Sequence, residues 1–173
     1  MPLRADIFDL GGLRLSAGEG RRLELHVAIA PLRLAGEHYR VVPDPVPVHL
    51  DISRTTGEGY VLRLRFQASL SGPCMRCLAP AAPRFDVDAR EVSQPGSDDE
   101  ELTSPYVVAG VLDLRAWARD ALALSLPPTL LCRADCAGLC PVCGIDLNAG
   151  APDHAHEPKP DVRWSKLSEL RFD

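Results

Sequence analysis

The stretch Tyr60-Val-Leu-Arg-Leu-Arg-Phe-Gln-Ala-Ser-Leu70 alternates apolar and polar side chains from Leu62 onward. Because successive side chains of a β-strand point to opposite faces, this period of two predicts a strand with one buried and one solvated face. The expected buried set is Leu62, Leu64, Phe66, Ala68 and Leu70. The expected solvated set is Arg63, Arg65, Gln67 and Ser69.

Three further segments, 23–29, 46–52 and 85–89, show the same alternation. Gly57 and Gly59 lie between two of the four segments and predict a hairpin turn. Four strands with one apolar face each predict an antiparallel sheet or a small barrel. We therefore interpret residues 1–92 as a β-rich domain.

The second half of the chain changes character. Residues 93–110 predict an acidic loop followed by a short strand over 106–111. Asp113 is a predicted cap for a helix that Pro127-Pro128 ends, and a last helix is predicted over 162–170. The apolar stripe of the first helix is Leu114, Trp117, Ala118, Ala121 and Leu122. Residues 111–173 are thus predicted to form a helical, cysteine-rich segment that completes an α+β fold.

Composition excludes several classes of protein. The chain has 173 residues, 46% hydrophobic and 25% charged, with a net charge of −5, which is typical of a folded domain. The whole net charge lies in residues 93–113, so the balanced remainder argues against strong nonspecific nucleic-acid binding. No apolar run approaches the roughly 20 residues of a membrane span, and the N-terminus lacks a secretory signal. We expect a cytoplasmic protein with no membrane partner.

The six cysteines form two clusters, Cys74-x2-Cys77 and Cys132-x3-Cys136-x3-Cys140-x2-Cys143. In a reducing compartment, clustered cysteines bind metal or carry out redox chemistry more often than they form disulfides. The run Cys140-Pro-Val-Cys143-Gly has the form of a zinc knuckle, in which the glycine lets the backbone turn under the metal. We predict one structural zinc ion per chain.

Three ligand sets fit this spacing. The local set consists of the four cysteines of the second cluster, Cys132, Cys136, Cys140 and Cys143. It is favoured because closing a short loop costs the least chain entropy. A ribbon-like set combines Cys74 and Cys77 with the last two cysteines, and a mixed set draws on His154 or His156. The first C-x2-C pair is equally well explained as a turn with two half-buried thiols.

Catalytic signatures are missing from the sequence. It contains no nucleophile elbow, phosphate-binding loop, HExxH motif or dinucleotide fingerprint. The carboxylates of residues 98–101 crowd a polar loop, which suits solvation better than a rigid acid–base pair. We expect a protein that is not an enzyme and has no small-molecule substrate.

Several motifs together resemble a known family. They are Cys74-Met-Arg-Cys77, Val111-Leu-Asp-Leu-Arg, Leu124-Ser-Leu-Pro-Pro128, Cys132, Cys136-Ala-Gly-Leu-Cys140-Pro-Val-Cys143-Gly, Asp146-Leu-Asn148 and Asp161-Val-Arg-Trp-Ser-Lys-Leu167. This set looks like the bacterial YceD family, the large ribosomal RNA subunit accumulation proteins, which have plastid relatives in plants. The resemblance is strong from about residue 105 to 170 and weak over residues 1–60.

The resemblance implies a ribosome-biogenesis role in accumulation or processing of large-subunit (23S) rRNA. The implied partner is that rRNA, a ribosomal protein or a pre-ribosomal particle. Many relatives carry a C-x-C pair where this chain has His154-Ala-His156, an exchange that keeps ligand capacity and favours the mixed set. Other relatives lack the second cluster, which implies that the metal supports the fold.

Alternatives remain open at this stage. Arg63 and Arg65, with Arg76 beside the first cysteine pair, are candidate phosphate contacts, although outward arginines are also ordinary on a solvated strand. A zinc- or thiol-dependent enzyme acting on RNA is one alternative function. A redox-responsive protein whose thiols release zinc on oxidation is another.

Overall fold

The computed structural model describes residues 5–97, 99, 102–150 and 154–156. Within these residues the fold consists of ten strands, one α-helix and two short 3-10 turns, at Gly11–Leu13 and Leu147–Ala149. The strands and helix in chain order are β1 (Ile7–Asp9), β2 (Gly20–Val27), β3 (Leu32–Leu34), β4 (Glu37–Val42), β5 (Val46–Arg54), β6 (Tyr60–Pro73), β7 (Pro80–Ala81), β8 (Arg84–Ser93), β9 (Val107–Val108), β10 (Val111–Asp113) and α1 (Leu114–Leu124).

The long strand β6 is the centre of the main sheet. The first half of β6 pairs with β5 and its second half with β4, while β8 and the short β7 pair with it as well. Ser69 is paired with both Val42 of β4 and Arg84 of β8, so β4 and β5 lie end to end along one edge of β6 and β8 lies along the other. Beyond β5 and β4 lie β2 and β3, and every pair is antiparallel.

The structure confirms the predicted antiparallel sheet and its buried face. The five residues predicted to point inward from β6 are each at most 5% exposed. The hairpin at Gly57 and Gly59 joins β5 to β6, closed by a hydrogen bond from the Thr55 amide to the Gly59 carbonyl. The strands β1, β3, β4 and β7 were not predicted, because their alternation extends over too few residues to stand out.

Helix α1 and a small second sheet, β1-β10-β9, cover the inner face of the main sheet. The side chain of Asp113 accepts a hydrogen bond from the Ala116 amide, which confirms the predicted cap. The core joins both halves of the chain, since Trp117 and Leu130 pack in one cluster with the sheet. The other face of the main sheet, which we call the outer face, carries the polar side chains.

The predicted short strand over 106–111 is a pair of strands, β9 and β10, separated by Ala109 and Gly110 in left-handed conformations. The helix predicted over 162–170 lies outside the described residues. No helix in the described part of the chain has the length and apolar character needed to cross a membrane.

The packing of α1 generates a first prediction. Trp117 is 2% exposed, so Trp117→Ala should lower the free energy of unfolding by about 3–5 kcal/mol through lost burial and a residual cavity. Leu124 lies on the same helix but is 87% exposed, and Leu124→Ala should change it by about 0.5 kcal/mol or less. Urea denaturation of the two variants measures the difference. Equal losses would contradict the assigned helix orientation.

Candidate metal centres

Both C-x2-C pairs form the same backbone turn. In the first, which directly follows β6, the Leu78 amide donates to the Cys74 carbonyl at 3.0 Å. In the second, the Gly144 amide donates to the Cys140 carbonyl at 2.8 Å. The residue after the second cysteine is left-handed in each turn, with φ of +61° at Leu78 and +75° at Gly144. Glycine adopts this conformation without steric cost, whereas a leucine is held there by its surroundings.

The first pair forms one group with Cys132 and Cys136, which we call the four-cysteine group. Its four sulfur atoms all lie within 4.8 Å of one another. Two Sγ–Sγ distances are 3.8 Å (Cys74 to Cys136) and 3.6 Å (Cys77 to Cys132). Tetrahedral zinc with Zn–S bonds of about 2.3 Å requires sulfur atoms about 3.8 Å apart. The group therefore has the dimensions of a closed four-ligand site.

The second pair forms another group with His154 and His156, which we call the Cys2His2 group. Its ligand atoms also lie within 4.8 Å of one another, and Cys143 Sγ is 3.3 Å from His154 Nε2. A zinc ion bound to one sulfur and one nitrogen would hold them about 3.5 Å apart. Cys140 is buried, whereas Cys143 and His156 are exposed, so this group lies closer to solvent than the first.

The structure therefore divides the predicted local set. Cys132 and Cys136 lie in the four-cysteine group, and Cys140 and Cys143 lie in the Cys2His2 group. The local set and the ribbon-like set do not match these groups, whereas the Cys2His2 group has the composition of the mixed set. The described residues offer two sites where one was predicted.

A turn at Gly138 separates the two groups along the chain. Gly138 lies between Cys136 and Cys140 with φ of +80°, and the next amide, that of Leu139, donates to the Arg76 carbonyl at 3.1 Å. A Cβ atom at position 138 would lie 3.1 Å from that carbonyl oxygen. The backbone passes so close to the Cys74–Cys77 turn that glycine is favoured at this position.

Sequence reasoning missed the pairing of Cys74 and Cys77 with Cys132 and Cys136. One signal could have found it: six cysteines and two nearby histidines supply eight ligands, which is enough for two four-ligand sites. Each C-x2-C turn then needs a second pair of metal ligands from elsewhere in the chain. The entropy of loop closure favoured the local set, because it depends only on the length of the closed loop. It takes no account of the tertiary contacts that the sheet makes.

The thiols of each group are held in an environment that favours a cation. Burial of Cys74 raises its pKa, but hydrogen bonds from the amides of Cys77, Arg76 and Cys132 outweigh burial and lower that pKa to about 6. Amides of Cys143 and Val142 lower the pKa of Cys140 to about 6. Desolvation and the neighbouring Cys77 thiol raise the pKa of Cys132 to about 12. In the four-cysteine group one thiolate thus forms readily while further ones are resisted, which is the situation a bound cation relieves.

The Asp146-Leu-Asn148 motif ties the two groups together. Asn148 Oδ1 accepts hydrogen bonds from the Ala137 amide at 2.8 Å and from the Arg133 guanidinium at 3.0 Å. The Asp146 side chain in turn accepts from the Asn148 amide at 2.9 Å. The motif therefore anchors the Cys2His2 segment to Arg133 and Ala137. These two residues lie next to the ligands Cys132 and Cys136 of the four-cysteine group.

The three arginines considered as candidate phosphate contacts all form side-chain hydrogen bonds within the protein. Arg63 donates two hydrogen bonds to Asp88, and Arg65 donates to Asp51 at 2.8 Å. Arg76 donates to the Cys136 carbonyl at 3.0 Å. Their guanidinium groups already have acceptors, so the structure weakens the case for them as phosphate contacts.

The described residues thus combine a main antiparallel sheet, one α-helix and two groups of cysteine and histidine side chains that could hold metal ions. The family described as "Large ribosomal RNA subunit accumulation protein YceD" matches residues 62–171, a span that includes both groups. The chain belongs to the YceD family, which confirms the resemblance seen in the sequence.

Relatives from mycobacteria match over nearly the whole chain. The uncharacterized protein Rv2926c of Mycobacterium tuberculosis and the uncharacterized protein Mb2951c of Mycobacterium bovis are each 35% identical over 98% of this chain and 81% of their own length. The uncharacterized protein ML1660 of Mycobacterium leprae is 28% identical over 95% of this chain and 76% of its own length. No solved structure matches the chain.

Proposed function

We propose that this protein is a non-catalytic ribosome-biogenesis factor needed for accumulation or processing of large-subunit (23S) rRNA. The observation that carries this proposal is membership of the YceD family, whose description names large-subunit rRNA accumulation. The partner is large-subunit rRNA, a ribosomal protein or a pre-ribosomal particle.

The second part of the proposal is a structural zinc ion in each cysteine group. Thiolate and imidazole ligands select zinc over harder cations, and the sulfur spacing of the four-cysteine group suits tetrahedral zinc. Each group supplies four protein ligands, so a bound ion keeps no open position for a water molecule. A closed site supports a fold and does not activate a nucleophile, which is why we assign no catalysis to it.

The two ions stabilise different parts of the protein. Around the four-cysteine group, the buried apolar cluster contains little more than Cys74, Cys136 and Ala81. This cluster joins the core through Met75, whose amide donates to the Leu130 carbonyl at 2.8 Å, and Leu130 is 1% exposed. Residues 140–150, by contrast, contribute no side chain to the main core among the described residues. Metal in the first group therefore acts on the whole domain, and metal in the second acts locally.

Metal analysis tests this assignment. Protein prepared without chelator under reducing conditions should contain about two zinc ions per chain. Cys74→Ser should remove one ion and lower the midpoint of thermal unfolding, because the turn after β6 loses its metal link to Cys132 and Cys136. Cys143→Ser should remove the other ion and leave that midpoint nearly unchanged.

The control is Val142→Ser, which changes an exposed residue inside the second knuckle and should retain both ions. A Cys74→Ser protein that keeps its full metal content would contradict metal binding by the four-cysteine group and would favour the local set as the ligands. Metal-free wild-type protein with an unchanged unfolding midpoint would contradict the structural role.

Deletion of the gene tests the cellular role. Large-subunit rRNA should fall relative to small-subunit rRNA, which serves as the internal control, and the wild-type gene should restore the ratio. Crosslinking in growing cells should recover large-subunit rRNA or ribosomal proteins with this chain. An unchanged rRNA ratio in the deletion strain would refute the proposed function.

A further inference from the structure

The outer face of the main sheet is divided into two electrostatically different halves. Along the first half of β6, three of the four outward arginines are matched with carboxylates. Asp51 accepts hydrogen bonds from both Arg22 and Arg65, and Asp88 accepts from Arg63. The hydrogen bond from Arg22 lowers the pKa of Asp51, and that from Arg63 lowers the pKa of Asp88. Arg90 of β8, opposite Arg63, is the fourth outward arginine and forms no side-chain hydrogen bond or ion pair in the described structure, so this half offers a ligand one unmatched arginine.

The second half of β6 has unmatched cations beside it, which we call the cationic patch. Its members are exposed and form no hydrogen bond or ion pair through their side chains within the described part of the protein. They are Arg33 of β3, His38 and Arg40 of β4, and Arg84 of β8.

Strand register places these side chains together. Arg33 is paired with His38, Arg40 with Ser71, and Arg84 with Ser69. Neighbouring strands lie about 4.8 Å apart, so the patch extends about 14 Å across four strands, with two serine hydroxyls along its middle.

Few carboxylates compete for the patch. Asp86, the nearest outward-facing acid on β8, accepts a hydrogen bond from Gln67. Asp44, in the turn after β4, lines a hollow beside Arg40 but makes no ion pair with it in the described structure. The patch is therefore a local cationic surface on a chain whose net charge is −5.

We propose that the cationic patch binds the phosphate backbone of RNA, with Arg33, Arg40 and Arg84 each neutralising a phosphate. Guanidinium groups form paired hydrogen bonds with phosphate oxygens, and the Ser69 and Ser71 hydroxyls add neutral donors between them. The identification of RNA, as opposed to another anionic polymer, rests on the proposed function.

Recognition at the patch is mainly of the backbone, with His38 the one imidazole in the patch. The outward-facing positions of the described main-sheet strands carry no phenylalanine, tyrosine or tryptophan side chain on which a base could stack. Tyr39 of β4 points inward and is 1% exposed, with its hydroxyl donating to the Pro73 carbonyl. Binding should therefore depend strongly on salt and little on sequence.

Fluorescence anisotropy with a labelled single-stranded RNA of mixed sequence tests the patch on the full chain. The test variant combines Arg33→Gln, Arg40→Gln and Arg84→Gln. The control combines Arg14→Gln, Arg21→Gln and Arg115→Gln, which removes the same charge from three exposed, unpaired arginines outside the patch. All of these side chains are exposed, so both variants should unfold at the wild-type temperature.

The patch variant should bind RNA roughly tenfold or more weakly, and the slope of log affinity against log salt should fall by about 2, from three lost contacts at 0.7 each. The control should bind within about twofold of wild type at the same salt concentration. Wild-type affinity in the patch variant, or an equal loss in the control, would overturn the proposal.

A labelled polyglutamate supplies the competing ligand. Tighter binding of polyglutamate than of RNA by the wild-type protein would overturn the RNA proposal and identify an acidic polypeptide as the partner of the patch. The rRNA ratio of the deletion strain separates this result from the proposed function, because that ratio does not depend on which residues contact the ligand. An unaffected rRNA ratio refutes the proposed function. The anisotropy measurement shows whether the patch binds RNA, whatever the ratio is.

Discussion

Hydrogen bonding along both edges of β6 is the constraint on which the rest of the structure depends. The strand is held by β5 and β4 on one side and by β8 on the other over most of its 14 residues. The residue that follows it is Cys74, so the sheet fixes the position of the first metal-ligand turn. The same strand carries the outward arginines and serines, so its register also decides which charges on the outer face are matched.

The four-cysteine group connects this fixed strand end to a distant part of the chain. Cys74 and Cys136 are separated by 62 residues, yet their sulfur atoms are 3.8 Å apart. Helix α1 and Leu130 lead the chain back to the sheet just before Cys132, because both pack into the core. The Cys2His2 group depends on this arrangement in turn, since Leu139 and Asn148 attach its segment to the first knuckle and to residue 137.

Sequence periodicity predicted the longer strands β2, β5, β6 and β8 and helix α1, because it reports directly on burial. The inward residues of β6, the β5–β6 hairpin and the Asp113 cap each follow from a local pattern, and each is present. Periodicity also showed which arginines face outward. It could not show that Arg63 lies opposite Asp88, because that pairing is set by the register between two strands.

The cysteine chemistry was predictable in type but not in grouping. Residue identities and spacing indicated thiolate ligands and a knuckle at Cys140. The choice among sets depends on which segments the core brings together, and loop entropy alone favours near neighbours in sequence. Two closed groups, joined through the Gly138 turn, are the central claim of this account.

X-ray absorption spectroscopy at the zinc edge of the purified wild-type protein tests that claim most directly. A four-cysteine group and a Cys2His2 group, both filled, should give an average shell of about three sulfur and one nitrogen ligands per zinc, with Zn–S near 2.3 Å and Zn–N near 2.0–2.1 Å. An average shell of four sulfur ligands and no nitrogen would contradict the account, because it would place the metal in a single all-cysteine site.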